Sequence, residues 1–187
     1  MGKNKNAVVT KGFTGLIGDD IVFRQTQGDT VVAKPPKKTG KPPHPVRLEA
    51  QKLFKKASLY AKAVEADPAQ KAVYSQAIKG TQSAFNLALR DARKAPTVNV
   101  IDASKYKGQM GDRIRIDATD DFKVVSVLVT IYGADGTLIE EGNATIPALE
   151  VDWFYTATVV NPSLPGTKIT ATATDIPGNE GSREITL

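Results

Sequence analysis

The chain has 187 residues and carries 25 Lys/Arg against 20 Asp/Glu, a formal net charge of +5. It has no cysteine and a single histidine, His44, which excludes a disulfide scaffold, a thiolate zinc site, a cysteine nucleophile and a His-rich metal centre. The charge is unevenly spread: residues 1–96 hold 18 Lys/Arg and 7 Asp/Glu (+11), and residues 97–187 hold 7 and 13 (−6). That split predicts two modules, a basic one over 1–96 and an acidic one over 97–187. At roughly 90–95 residues, each buries about 60–65% of its unfolded surface, enough for a modest core.

The N-terminus has lysines but no apolar run of the length a secretory signal needs, and no window of the chain approaches a membrane span. The expectation is a chain that is cytoplasmic as written, with no membrane insertion. Gly2 invites a myristoylation reading, but Asn6 stands where that motif requires Ser or Thr.

Residues 7–34 predict a small β unit. Asp20–Thr26 and Thr30–Lys34 are rich in β-branched residues, and Gln27-Gly28-Asp29 between them suits a hairpin turn. Gly12, Gly15 and Gly18 read as turn and bulge positions, because no parallel βαβ unit follows to make them a nucleotide fingerprint. Residues 34–47 contain five prolines and five Lys/Arg, and they predict an extended, solvated linker. His44 lies within it between Pro43 and Pro45, where a catalytic base would have neither partner nor pocket.

From Val46 the period changes. Val46, Ala50, Leu53, Ala57, Tyr60, Ala61 and Val64 recur at three- and four-residue steps, predicting an amphipathic helix of roughly 18–20 residues. Asp67-Pro68 stops it and opens a second helix near 68–79; Gly80 ends that one, and Thr81 is the expected cap of a third near 82–94. The hairpin and three helices are expected to make one α+β domain.

After Pro96, β-rich runs recur: Thr97–Ile101, Arg113–Ala118, Val124–Tyr132, Thr137–Glu141, Val151–Thr158, Thr167–Thr174 and Arg183–Leu187. Seven strands separated by Gly/Pro/Asn turns predict a β-sandwich, with Trp153, the only tryptophan, anchoring the core between the sheets.

Asp120-Asp121-Phe122, Asp135-Gly136-Thr137-Leu138, Trp153–Thr158 and the closing Thr172-Ala173-Thr174-Asp175-Ile176-Pro177-Gly178-Asn179 carry a resemblance to bacterial immunoglobulin-like domains. The first half, with its Gly-rich hairpin, basic Lys-Pro segment and Tyr60-Ala61-Lys62-Ala63 helix, is similar to bacterial proteins without an assigned activity. The immunoglobulin-like resemblance implies a spacer, an adhesive module or a part of an extracellular or phage-like assembly.

Candidate chemistry is sparse. Asp117, Asp120, Asp121 and Asp152, or Glu140-Glu141, are the only acids that suggest a carboxylate pair, and acids in β-turns usually cap their own backbone. No enzymatic activity and no cofactor are expected. Asp117, Asp120 and Asp121, with Asp112 near them and Asp175 at the same end of a sandwich, are the candidates for Ca²⁺. Lys34, Lys37, Lys38, Lys41, Arg47, Lys52, Lys55, Lys56 and Lys62 form a basic stretch suited to sequence-independent contact with a nucleic acid or other polyanion. The opposed charges of the two halves favour a homo-oligomer or polymer built head to tail. Ala7, Val8, Val9 and Thr10 are the candidate strand that would add to a neighbour's sheet edge. A self-assembling structural protein is thus the first expectation, and polyanion binding the alternative.

Overall fold

The computed structural model describes residues 2–4, 12–26, 29–35, 44–78, 80 and 82–187, and the chain divides into two compact units, Met1–His44 and Pro45–Leu187. The fold is mixed α+β with antiparallel sheets.

In the first unit, β1 (Gly2–Asn4), β2 (Gly15–Ile17), β3 (Ile21–Thr26) and β4 (Asp29–Ala33) form one sheet in the order β1-β4-β3-β2. The anticipated hairpin is β3–β4, in register from Val22↔Ala33 to Thr26↔Asp29. β2 joins β3 through a tight turn where Gly18 takes φ 57°, a conformation that glycine adopts without a Cβ penalty. At the other edge Lys3 pairs with Val31, so the N-terminal residues add a strand to the chain's own sheet. The proposed assembly strand Ala7–Thr10 lies outside the described residues. The core of this unit is thin. Thr30 and Val31 are buried and the Phe13 ring stands edge-on to Phe23 at 5.9 Å, while Leu16, Ile17 and Ile21 are exposed.

The second unit opens with α1 (Pro45–Ala66), α2 (Pro68–Gln76) and α3 (Ala84–Asp91). Helix α1 starts inside the stretch expected to be an extended linker, because Pro45 occupies a first helical position, where its missing N–H costs nothing. The Asp67 carboxylate caps α2 by accepting from the Ala69 and Gln70 N–H groups. The Ser83 hydroxyl caps α3 by accepting from Asn86 N–H. Thr81, the expected cap, lies outside the described residues.

Seven strands follow: β5 (Thr97–Asp102), β6 (Arg113–Thr119), β7 (Val124–Tyr132), β8 (Leu138–Asn143), β9 (Trp153–Thr156), β10 (Lys168–Asp175) and β11 (Glu180–Thr186). They form two antiparallel sheets, β5-β6-β9 and β11-β10-β7-β8. Strict alternation makes the facing surfaces. Ile114 and Ile116 point inward between exposed Arg113 and Arg115, and Val127, Val129 and Ile131 answer them with Ile169, Ala171 and Ala173. One core therefore draws on both sheets. Tyr106 and Tyr155 are its buried aromatics; Trp153, the expected anchor, is half-buried at the margin. The edges β5 and β11 also meet: Arg183 Nη1 donates to the Asn99 carbonyl, and Gly181 passes so close to the Pro96 carbonyl that a Cβ there would collide with it.

The expected boundary at 96/97 falls inside the second unit. The helices pack within their own unit. They bury Ala61, Val64, Tyr74, Ala84, Leu87 and Ala88 together with Phe122 and Ile176, two residues at strand ends of the sheet pair. The buried residues of α1, Ala57, Ala61 and Val64, lie in its second half, and in the first half the Arg93 guanidinium lies over the Phe54 ring at 5.8 Å. Residues 44–56 are exposed throughout. Among the described residues no helix is long and apolar enough to cross a membrane.

Candidate functional site

Where the helices meet the sheets, three carboxylates converge from three elements. Asp91 is the last residue of α3, Asp120 opens the β6–β7 turn and Asp175 ends β10. One oxygen from each lies within 4.8 Å of the others. Asp91 and Asp175 are each 1% exposed.

The surroundings fix these groups closely. Asp91 Oδ2 accepts a 2.6 Å hydrogen bond from the Tyr74 hydroxyl. Tyr74 has one proton to give, so the 2.9 Å contact between the two hydroxyls has Tyr60 donating to Tyr74. The Phe122 ring stacks on Tyr74 at 4.7 Å, closing one side of the cluster with apolar surface. Asp120 Oδ2 accepts from the Phe122 and Lys123 N–H groups, forming the turn that carries Phe122 inward. Asp175 accepts from the backbone and side-chain N–H groups of Asn179, at 2.6 and 2.8 Å, and Asn179 Nδ2 also reaches the Asp91 carbonyl at 3.4 Å. Two buried oxygens, Asp91 Oδ1 and Asp120 Oδ1, have no hydrogen-bond partner among the described residues.

Asp91 and Asp175 are buried beside a third, half-buried acid, and burial opposes their ionisation. Burial, reinforced by the Asp120 and Asp175 carboxylates, pushes Asp91 up to about 7 despite the Tyr74 hydrogen bond. The C-terminal position of Asp91 on α3 adds to this, since the negative end of a helix disfavours an anion. Burial likewise raises Asp175, against the opposing hydrogen bonds of Asn179. Asp121, next in sequence after Asp120, is half-buried and pairs with Arg90 at 3.1 Å.

Of the expected Ca²⁺ ligands, then, Asp120 joins the cluster, with Asp175 beside it; Asp117 lies on β6, and Asp121 is bound to Arg90. Asp112 organises its own loop. The N–H groups of Gln109 and Lys107 hold its carboxyl below the usual carboxylate range. Asp91 was not legible as a ligand, because Arg90-Asp91-Ala92-Arg93 reads as a solvated helix end. Its one signal was an acid where the helix dipole favours a base.

Glu140, Asp152 and Asp102 are committed elsewhere. Glu140 is buried, and its Oε2 accepts from Tyr155 Oη, Thr158 N, Thr158 Oγ1 and Val159 N at 2.8–3.3 Å, tying the β9–β10 connection to β8. Asp152 bonds Arg115 at 2.9 Å, and Asp102 lies 3.6 Å from the same guanidinium. Asp102 and Arg115 line a cavity of about 160 Å³ on the β5-β6-β9 sheet together with Phe154, over whose ring Arg113 lies at 4.1 Å.

The basic residues separate. Arg47, Lys52, Lys55, Lys56 and Lys62 share α1 and are all exposed. Lys34 is exposed after β4, and Lys37, Lys38 and Lys41 lie outside the described residues. On the helical wheel Val46, Ala50, Leu53 and Phe54 continue the stripe whose lower part, Ala57, Ala61 and Val64, packs on the other helices. A second exposed apolar feature is the β8–β9 loop, where Leu149 and Val151 are solvent-facing and Leu149 holds φ 71°. Comparison of the chain with protein-family models, with curated proteins and with solved structures finds no match.

Proposed function

We propose that the chain is a non-enzymatic structural or interaction protein, built on an immunoglobulin-like sandwich, that self-associates head to tail into a multimer or filament. The strand order supports the immunoglobulin-like reading. Constant-type domains group strands A, B, E and D opposite C, F and G. Here the first, second and fifth strands oppose the third, sixth and seventh, and the fourth pairs with the third, the position of C′ in variable-type domains. The non-enzymatic reading rests on Asp112, Glu140 and Asp152, which serve in a turn, a loop tie and an arginine pair.

The observation that carries self-association is the apolar stripe of α1 running past its partner helices. Val46, Leu53 and Phe54 are 66%, 42% and 49% exposed, on a segment of about three turns. Such a segment gains little from helix propensity alone and is stabilised by covering its apolar face. Its basic flank complements an acidic sandwich, and Leu149-Glu150-Val151 offers apolar anchors beside an acid; positive φ at a leucine is strain of the kind kept at contact sites. Leu53→Glu and Leu149→Glu should each lower the mass of the assembled protein in sedimentation. Unchanged mass in both variants would sink the interface.

Polyanion binding is the second reading. It is favoured by Arg47, Lys52, Lys55 and Lys56, which enter none of the ion pairs among the described residues. It expects binding of mixed-sequence duplex DNA that weakens steeply with salt. Salt-independent or absent binding would exclude it.

A further inference from the structure

The Asp91–Asp120–Asp175 cluster joins α3, the β6–β7 turn and the end of β10. Its formal charge is −3 when ionised, in a pocket closed by Phe122 and Tyr74. Hydrogen bonding leaves it incomplete: Asp91 is 1% exposed and offers the cluster a carboxylate, yet its Oδ1 has no donor, and neither does Asp120 Oδ1. A buried acceptor without a donor is costly, and a buried anion more so, unless a proton or a cation answers it. Asn179 and the Asp120 turn already hold Asp175 Oδ1 and Oδ2 and Asp120 Oδ2, so the missing partner belongs on the Asp91–Asp120 side.

We propose that Asp91, Asp120 and Asp175 bind one Ca²⁺ ion, which fastens the helices to the sheet pair. The donor set is all oxygen, the set a hard cation selects, and it lacks the nitrogen or sulfur that zinc favours. Coordination habit argues for Ca²⁺ over Mg²⁺: Ca²⁺ takes several protein oxygens at about 2.3–2.6 Å in flexible geometry, whereas Mg²⁺ dehydrates reluctantly and keeps several waters, and two of these three acids are buried. Donor oxygens that all lie within 4.8 Å of one another can be spanned by one Ca²⁺ ion. The ligands come from α3, the β6–β7 turn and the end of β10, so one ion links the last helix to the sheet that contains β7 and β10. The competing arrangement is a proton shared between Asp91 and Asp120, with no ion.

Tb³⁺, a luminescent substitute for Ca²⁺, separates the two, because Tyr74 hydrogen-bonds a ligand and can sensitise an ion bound there. Chelator-treated full-length protein, excited through tyrosine, should show Tb³⁺ emission that saturates at one ion per chain and is displaced by Ca²⁺. Asp120→Asn retains an oxygen for the Phe122 and Lys123 N–H groups and removes the charge, so the turn should survive. Loss of outer-shell partners alone costs metal sites about 10–100-fold, so this variant should bind at least about tenfold more weakly. Asp117→Asn should bind as the parent does. Absence of saturable emission, together with a melting temperature that Ca²⁺ and chelator leave equal, would overturn the proposal in favour of the shared proton. Full binding by Asp120→Asn would overturn the ligand assignment, and displacement by Mg²⁺ at the same concentration as Ca²⁺ would overturn the choice of ion.

Discussion

Glu140 and Tyr155 illustrate how a buried charge is made tolerable in this fold. Four donors converge on one carboxylate oxygen, so removing one leaves three, and Tyr155→Phe should cost about 1.5–3 kcal/mol in denaturant unfolding, the range for a hydrogen bond to a charged group. Burial, with the Glu140 hydrogen bond assisting, pushes the Tyr155 phenol up to about 12. The raised value means the neutral phenol is favoured by folding. Its contribution is fully present below pH about 10, where the unfolded phenol titrates, and is lost as pH rises toward 12. Burial raises Tyr60, Tyr74 and Tyr106 as well, so most of the five tyrosines should ionise in one cooperative step with alkaline unfolding. Gradual tyrosinate absorbance near pH 10, with the circular dichroism unchanged, would contradict this. A glycine makes the opposite kind of demand: Gly181→Ala puts a methyl group against the Pro96 carbonyl, and an overpacking penalty of about 1–3 kcal/mol is expected in the same assay.

At the scale of elements, periodicity carried most of the information. The run Val124–Tyr132 is a strand over those residues, and Arg113–Ala118 and Thr167–Thr174 shift by at most one residue at either end, because inward and outward residues alternate without exception through their cores. Alternation said less about depth: Val125 is 45% exposed and Val127 fully buried, since β7 enters the sheet pair only after its first residues. The stripe on α1 was likewise visible, but not that its first half would stay largely exposed, because a stripe records what could be buried and not how far its partners reach. What brings the helices to the sheets was illegible. Phe122 and Ile176 lie next to turns, outside any periodic pattern, and the three acids beneath them are 29 and 55 residues apart in sequence. Tyr74→Phe tests this junction. It removes the donor to buried Asp91, and we expect about 1–3 kcal/mol of destabilisation, in a variant whose ring still stacks on Phe122. No change in stability would mean that the hydroxyl has little part in holding the layers together.

For the whole molecule, the charge split takes on a different meaning once the units are known. Residues 45–96 carry 10 Lys/Arg and 4 Asp/Glu (+6), and they share a unit with the −6 of residues 97–187. Much of the asymmetry that suggested contact between copies is therefore balanced within Pro45–Leu187, with Arg90–Asp121 a direct instance. Bulk charge alone then gives a weak head-to-tail attraction. The association proposed above depends on the local surface of α1, where apolar and basic residues are exposed together, and its affinity should fall only modestly with salt. The most direct test is the mass of nuclease-treated protein by light scattering over a range of concentration, at low and high salt. Species well above 20.0 kDa that grow with concentration and persist in part at high salt are expected. A monomer of 20.0 kDa at every concentration and salt would contradict self-association.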